Sequence, residues 1–523
     1  MKLLNVQQIR DWDAFTIRQE PIDSLALMER AGKACTDYLL THFSREHAFL
    51  VCCGPGNNGG DGLVIARLLA GYGYLVNVVI VKHSSHTSGD FALNLERLRK
   101  VPEVSIYEVI SDDQLPQLAV AHRHAGSPAR QAPDFGTRTV IIDALLGSGI
   151  RRPLEGLLAE TVNYINNSGE QVISIDVPTG LPADIEQWDP TLYQSVVSAH
   201  TTLTFQVPKT SFLFPDSGKF CGAFRILDIG LHPDFLRDLN PDMEYIDGAF
   251  VNPLIQARNK FDHKGNFGHA LLVAGSRGKN GAAILAARAC LRSGVGLLSV
   301  GVPQHSYPIL QTAVPEAMVI PDNSDDFPVF SFVPGKYSAV GVGAGIGTEA
   351  KTLEGYRRFL QALRKPLVID ADGLNLLAGL LKTKQGFRIP ENAVLTPHVK
   401  EFNRLAGEAE NSYARFNLLR EFAGRHQVYV ILKGAHSCLA TPDGTCYFNS
   451  TGNPAMAKGG SGDVLTGMIT ALLAQGYSAR DAAILGMYFH GKAGDAAMRK
   501  RSGTAVIASD LIEEIGIEGS PCD

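Results

Sequence analysis

At 523 residues the chain is longer than one ordinary hydrophobic core organises, so two domains, or at most three, are expected. Hydrophobic residues make up 45% and charged residues 19%, the balance of a globular enzyme and not of a disordered chain. A formal net charge of -5 argues against nucleic acid as the main partner, and an anionic ligand would need local donors instead of a basic surface.

The first stretch, MKLLNVQQIRDWDAF, carries charges every few residues and no apolar core of a signal peptide. No window approaches the roughly 20 uninterrupted apolar residues of a membrane span. A cytoplasmic protein without membrane contact is therefore expected. Eight cysteines occur without a C-x-x-C pair, and Cys52 and Cys53 adjoin on an apolar run. They read as core packing in a reducing compartment.

Apolar runs at 49–54, 75–82, 139–147, 171–180, 202–207 and 224–230 predict strands. Several are apolar almost throughout, as strands covered on both faces should be. Amphipathic segments such as DFALNLERLRKV alternate with them, which predicts an α/β fold with a mainly parallel sheet. Residues 121–138 are polar, contain Pro and Gly and lack a period, and predict a surface insertion. Near 231–250 the pattern stops, with two prolines and many carboxylates. The boundary is placed there, giving domains over 1–235 and 245–523. A second series of strands is predicted at 269–276, 295–303, 339–347, 366–375, 392–398 and 428–440.

The first predicted strand runs into GPGNNGGDG, residues 54–62, and then into a helical pattern. Its first six residues fit the dinucleotide fingerprint G-x-G-x-x-G, in which glycines let a ligand approach and the helix N-terminus offers free N–H groups. A nicotinamide dehydrogenase would also place an acid at the end of the second strand to hold the ribose. That strand ends Val81-Lys82-His83-Ser84, with no carboxylate. Asn57, Asn58 and Asp61 instead crowd the loop with side-chain oxygens, which suit hydroxyls or a hard cation, or serve only the turn geometry. Asp143 and Asp176 end two further strands at the sheet edge where α/β folds bind ligands; each could alternatively cap a helix.

GPGNNGGDG, DALLGSGIRRPLEG and DVPTG together resemble the YjeF-type N-terminal domain, an NAD(P)H-hydrate epimerase, over about residues 1–235. The resemblance implies a Rossmann-like three-layer αβα sandwich. It implies substrate contacts at Asn57, Asn58, Gly59, Gly60 and Asp61, and at Gly147, Ser148, Gly149, Ile150, Arg151, Arg152 and Pro153. It makes Asp176 the catalytic carboxylate and places a K+ ion near Asn58, Asp143 and Thr179.

In the second half, Gly459-Gly460-Ser461-Gly462-Asp463 precedes VLTGMITALLAQG. Val464, Met468 and Leu472, with Leu465, Ile469 and Leu473, make a helical stripe, so the glycines form a loop at a helix N-terminus, an anion hole. Asp463 could take a proton from a hydroxyl beside a phosphate there, or simply cap the helix. The arrangement resembles the ribokinase-like superfamily. Together with HKGNFGHALLVAGS, DADGLNLL, LTPHVKEF and VILKGAHS it resembles the ADP/ATP-dependent NAD(P)H-hydrate dehydratases over about 250–515. That implies a ribokinase-like αβα domain, substrate contacts at Ala282, Gly345, His398 and Asp463, and nucleotide contacts at Lys433, Gly434, Ala435, His436, Ser437 and Gly462.

The implied substrates are NADHX or NADPHX, hydrated at C5–C6 of the nicotinamide, with ADP or ATP and Mg2+. Phosphorylation of the C6 hydroxyl, with Asp463 as base, would let the N1 lone pair expel it. Such a site would take one C6 epimer, so an epimerase on the same chain completes the repair. A homo-oligomer is expected. The alternatives are a ribokinase-like vitamin or sugar kinase with an accessory domain, and a non-catalytic nucleotide sensor.

Overall fold

Seven parallel strands form the sheet of the N-terminal unit in a computed structural model that describes residues 1–114, 138–383 and 386–517. The strands are β1 (His47–Cys53), β2 (Leu75–Val81), β3 (Ser105–Val109), β4 (Arg138–Ala144), β5 (Gln171–Ile175), β6 (Thr201–Phe205) and β7 (Ala223–Leu227). Their order is β3-β2-β1-β4-β5-β6-β7. The order reverses between β1 and β4, and such switch points open the ligand crevice of doubly wound folds. The sequence picks out six of the seven strands. It misses β3, an edge strand with mostly half-exposed residues and therefore no continuous apolar run.

Alternate residues of these strands feed two cores. Phe49, Val51 and Cys53 join Leu39, Leu63, Ile65 and Leu69 of helices α1 (Ser24–His42) and α2 (Asn57–Gly71) on one face. Leu50, Cys52 and Ile141 join Leu158, Val162 and Ile165 of helix α3 (Gly156–Asn167) on the other. This makes the three-layer αβα sandwich. A further N-terminal helix, Val6–Gln19, is capped by Asn5 in a reciprocal capping box with Gln8. Arg138 opens β4; the rest of the predicted insertion, 121–137, lies outside the described residues.

The chain divides into Lys2–Pro241 and a second unit of Asp242–Asp523 with Met1. The pattern does not stop at 231–250: Met243–Ile246 is a strand, β8, of the second unit's sheet. Its partners are β9 (His269–Val273), β10 (Leu297–Val302), β11 (Met318–Pro321), β12 (Ala339–Val342), β13 (Leu367–Ile369), β14 (Val394–Leu395), β15 (Tyr429–Leu432), β16 (Cys438–Ala440) and β17 (Cys446–Asn449). The order is β11-β10-β9-β12-β13-β14-β15-β16-β17-β8. All neighbours are parallel except β15–β16 and β16–β17. The single strand predicted at 428–440 is thus two, folded back at the turn 433–437. The strand predicted at 366–375 ends at Ile369, and helix α4 (Ala371–Leu381) follows.

Helix α5 (Ser461–Ala474) runs through this core, with every residue from Val464 to Ala474 buried. It crosses helix Asn280–Arg292 so closely at Gly467 that a Cβ there would stand 2.1 Å from the Ala286 carbonyl oxygen. Among the described residues the seven cysteines are all buried and free, and no helix is long and apolar enough to cross a membrane.

Candidate functional sites

In the first unit the glycine-rich segment is the first turn of α2, with Gly56 as its N-cap. Most of its glycines serve packing. A Cβ at Gly59 would lie 1.8 Å from the Gly54 carbonyl oxygen, at Gly60 2.6 Å from the Met28 sulfur, and at Gly62 2.7 Å from Ala144 Cβ. A Cβ added at Gly56 would meet nothing within 4 Å. A ligand would therefore meet the free N–H groups of the first turn and the side chains of Asn57 and Asn58, not a backbone bared by every glycine.

Asn58 is 9% exposed, and its amide nitrogen has no partner among the described residues. It packs on Gly147, where a Cβ would stand 3.3 Å from its carboxamide. From the same loop the Leu146 amide donates to Thr179 Oγ1 at 3.0 Å. Thr179 in turn donates to Asp143 through Oγ1 at 2.6 Å and through its amide at 2.9 Å. Ser174 Oγ at 2.7 Å and the Leu145 amide at 3.3 Å complete the set around Asp143. Burial pushes the Asp143 carboxyl up, and these hydrogen bonds oppose it. The structure thus gathers Asn58, Gly147, Asp143 and Thr179 at the switch point. Ile150 is buried, and Gly149, Arg151 and Arg152 are exposed.

Asp176 follows β5 with φ of +62°, a left-handed conformation that a residue other than glycine adopts rarely and at a cost of about 1–3 kcal/mol. Lys209 explains how it is held. Its side chain is 1% exposed, and its ammonium meets Asp176 Oδ1 at 2.8 Å. The same ammonium donates to Thr204 Oγ1 at 3.0 Å and to the carbonyls of Phe205 and Val207 at 3.2 and 3.3 Å. Asp61, nine-tenths buried, has its carboxyl pushed well up by burial, then by the charges of Asp176, Asp13 and Asp90. Sequence reasoning missed Lys209, because a lysine within FQVPKTSFLFP carries no motif.

In the second unit Asp463 stands in the first turn of α5, after Gly460 at φ +92°. Gly462 lies on a buried ion pair: a Cβ there would be 3.3 Å from Lys433 Nζ and 3.4 Å from Asp370 Oδ2. Lys433 Nζ meets Asp370 Oδ1 at 2.9 Å, and Thr466 Oγ1 donates to Asp370 Oδ2 at 2.7 Å. Lys433 is held above its ordinary value: burial opposes the charge, and Asp370 and Glu401 outweigh it. Burial first, then the charge of Asp370, raises the Asp463 carboxyl to about 7; Lys433 opposes, and Asp372 adds. His490, half-buried beside the loop, approaches the Ser461 carbonyl at 2.9 Å, and desolvation lowers it to about 4, so at neutral pH it donates as a neutral imidazole.

The other predicted residues fall around this centre. His398 is the N-cap of helix Val399–Ala406; its Nδ1 accepts from the Lys400 amide at 3.1 Å, and its Nε2 faces Glu401 at 3.2 Å. Gly345, at φ +64°, sits against Ala282, whose Cβ would be 3.2 Å from one on Gly345. Lys279 beside them reaches Asp372 at 3.1 Å. Residues 433–437 turn from β15 to β16, with Ser437 Oγ donating to the Gly434 carbonyl at 3.2 Å. Ala435 is exposed, His436 Nδ1 lies 3.1 Å from the Asn449 carbonyl, and a Cβ added at Gly434 or Gly459 would meet nothing within 4 Å. Lys433 is therefore the half-buried floor of the Asp463 loop, and the open part of the turn is Gly434 and Ala435. Asp370 was assigned no role from sequence, although it ends the apolar run LVID as Asp143 ends VIID.

Comparison with known proteins places both units. A family model for NAD(P)H-hydrate dehydratase matches residues 270–516, and one for the YjeF-related protein N-terminus matches 24–211. The bifunctional NAD(P)H-hydrate repair enzyme Nnr of Moorella thermoacetica is 32% identical over 98% of this chain and 96% of its own. That of Thermofilum pendens is 34% identical over 96% of this chain and 93% of its own. A solved ADP/ATP-dependent NAD(P)H-hydrate dehydratase from Bacillus subtilis, co-crystallised with ATP and Mg2+, is 30% identical. It covers 52% of this chain and 96% of that one, with a TM-score of 0.47.

Proposed function

The chain belongs to the bifunctional NAD(P)H-hydrate repair enzymes, and we propose that its first unit works through Asp176 and its second through Asp463. It is an NAD(P)H-hydrate epimerase and an ADP- or ATP-dependent NAD(P)H-hydrate dehydratase.

The observation that carries the second assignment is Asp463 itself: a carboxylate at a glycine-lined helix N-terminus, raised to about 7 by burial and by Asp370. A base with that affinity accepts a proton near neutral pH and is still ionised often enough to act. Asp463 takes the proton of the C6 hydroxyl as that oxygen bonds to the terminal phosphorus of the nucleotide, whose bridging P–O bond breaks with its electron pair on the departing AMP (from ADP) or ADP (from ATP). The N–H groups of the first turn of α5 face the transferring phosphoryl group, whose charge they stabilise. The phosphorylated oxygen then leaves with the C6–O electron pair, replaced at C6 by the N1 lone pair. Loss of a C5 proton restores the dihydropyridine. Lys433 beneath Gly462 holds Asp370 and moderates the basicity of Asp463. The exposed residues Gly434 and Ala435 receive the nucleotide, which brings Mg2+ with it, and Ala282, Gly345 and His398 border the substrate.

In the first unit Asp176 stands at the end of β5 with Lys209 fixing its carboxylate, where it exchanges a proton with the oxygen on C6. The oxygen donors present suit a K+ ion: Asn58 is nine-tenths buried and packs on the 147 loop, and the Asp143 carboxyl and Thr179 hydroxyl are buried beside it. Asn58, Asp143 and Thr179 would hold it, sharing the Asp143 oxygens with their present donors, and it would supply the neutralising charge.

The test is one assay. Purified protein is mixed with NADHX and ADP or ATP, and absorbance at 340 nm is followed with the epimer ratio by chromatography. Asp463→Asn should abolish the absorbance rise and keep epimer exchange; full dehydration by this variant refutes the assignment. Asp176→Asn should stop exchange and still dehydrate the S form; an unchanged exchange rate refutes the first site. A stable phosphorylated product in place of NADH would instead indicate a kinase.

A further inference from the structure

The N-terminal helix Val6–Gln19 precedes the segment that matches the epimerase family model, which begins at residue 24. Its inward face nevertheless lines the first site. Val6, Arg10 and Asp13 lie at i, i+4 and i+7, one above another on the helix. The Val6 amide donates to Asp184 Oδ1 at 3.0 Å. One turn on, Arg10 reaches over the 147–153 loop, where a Cβ on Gly149 would stand 3.0 Å from its guanidinium. On the next turn Asp13 stands close enough to Asp176, Lys209 and Asp61 for their charges to act on one another. The helix is fixed in place by Trp12 Nε1, which donates to the His232 carbonyl at 2.8 Å, and by the fully buried Thr16, which accepts from the His232 amide at 3.0 Å.

We propose that Asp13 is a second catalytic carboxylate of the epimerase site, working with Asp176 as a proton-exchanging pair. The inference rests on the assignment of Asp176 made above. Inversion at C6 by way of a C6=N1 iminium has an oxygen leave from one face and another arrive on the other, so one carboxyl gives a proton and a second carboxylate takes one. In one direction the C6–O bond breaks with its electron pair on oxygen. That oxygen takes a proton from the first carboxyl and departs as water, while the N1 lone pair closes to C6=N1. Water then bonds to C6 from the other face, the π pair returns to N1, and the surplus proton passes to the second carboxylate. In the reverse direction the two acids exchange roles.

The surroundings of Asp13 suit this. Asp176 is engaged by Lys209, whereas no hydrogen bond or ion pair from a described residue ends on the Asp13 carboxylate. Burial, then the charge of Asp176, raises Asp13 to about 6 against the pull of Lys209, so it exchanges protons near neutral pH.

The test is epimer exchange by the full chain between pH 5 and 8, corrected for spontaneous exchange, with dehydration of the S form as internal control. Asp13→Asn should slow exchange by about 100-fold or more. It should also abolish the pH limb near 6 and leave the melting temperature at pH 7 equal or higher, since a charge near Asp176 is gone. Exchange within threefold of the unmodified chain overturns the proposal. Should Asp13→Asn fold poorly, Asp13→Glu decides: restored exchange with a displaced limb supports it, and an undisplaced limb overturns it. If Asp176→Asn exchanges normally, the reading of the whole site fails; if only Asp13→Asn does, this inference fails alone.

Discussion

Asp370→Asn isolates the electrostatics of the dehydratase site. Asn is isosteric and can keep contacts with Thr466 and Lys433, so the change removes one charge with little change of shape. Asp370 Oδ2 lies 3.4 Å from the position a Cβ on Gly462 would take, which sets the distance to the neighbouring Asp463 carboxylate on the order of 7 Å. At an effective dielectric constant near 20, one charge at that distance is worth about 2.4 kcal/mol, or roughly 1.7 pH units. Asp370 raises Asp463, whose carboxyl stands at about 7, so its removal should bring the acid limb of kcat/KM for dehydration down to about 5.3. At pH 6 the unmodified chain would have about a tenth of Asp463 ionised and the variant about four-fifths. The ratio of activity at pH 6 to that at pH 8 should therefore rise from about 0.1 to about 0.8. Activity at pH 8 should fall by a few fold, roughly sevenfold, because a weaker base drives proton transfer less. The readout is the initial rate at 340 nm with subsaturating NADHX from pH 5 to 9. A limb that stays near 7 in the variant would refute the idea that Asp370 sets the basicity of Asp463.

Two further variants probe the first unit. Lys209→Met leaves the Asp176 carboxylate unpaired and should cost about 3–5 kcal/mol with loss of epimer exchange. Adding Asp176→Asn should restore most of that stability and none of the exchange; thermal unfolding that shows no recovery would discount the ion pair. Gly59→Ala drives a Cβ against the Gly54 carbonyl and should destabilise by about 3 kcal/mol or more. Gly56→Ala, at φ -93° with open space around it, should cost no more than about 1 kcal/mol. Denaturant unfolding of the pair checks whether the glycines of one loop divide as the packing says.

Much of the fold was legible because parallel strands covered on both faces leave a simple trace. Residues 48–53 are all buried, and only a continuous apolar run satisfies that. Strands β3, β8, β11 and β17 went unread because they are short or half-exposed, and lie outside the central run of strands. The loop GPGNNGGDG was located, but its glycines were credited to ligand approach when Gly59, Gly60 and Gly62 answer to neighbouring atoms of the protein. Side-chain volume around a glycine is a tertiary property, and a local pattern does not carry it. Lys209 and Asp13 escaped for a related reason: both lie outside the glycine loop and strand-end motifs, and only the fold brings them near Asp176. Asp370 is different, since the strand-end carboxylate signal applied to Asp143 and Asp176 extends to it unchanged.

Strand β8 bears on how the gene for this chain could be divided. It stands at one end of the ten-stranded sheet, paired in parallel with β17 through Met243–Cys446 to Ile246–Asn449. A polypeptide starting at residue 250 would keep every proposed dehydratase residue and still bare the N–H and C=O row of β17, a template for pairing with another copy. A cut placed before Asp242 hands the strand to the half that needs it. The four residues MEYI thus mark where a fission of the two activities could leave soluble halves, and where one a few residues later would seed aggregation.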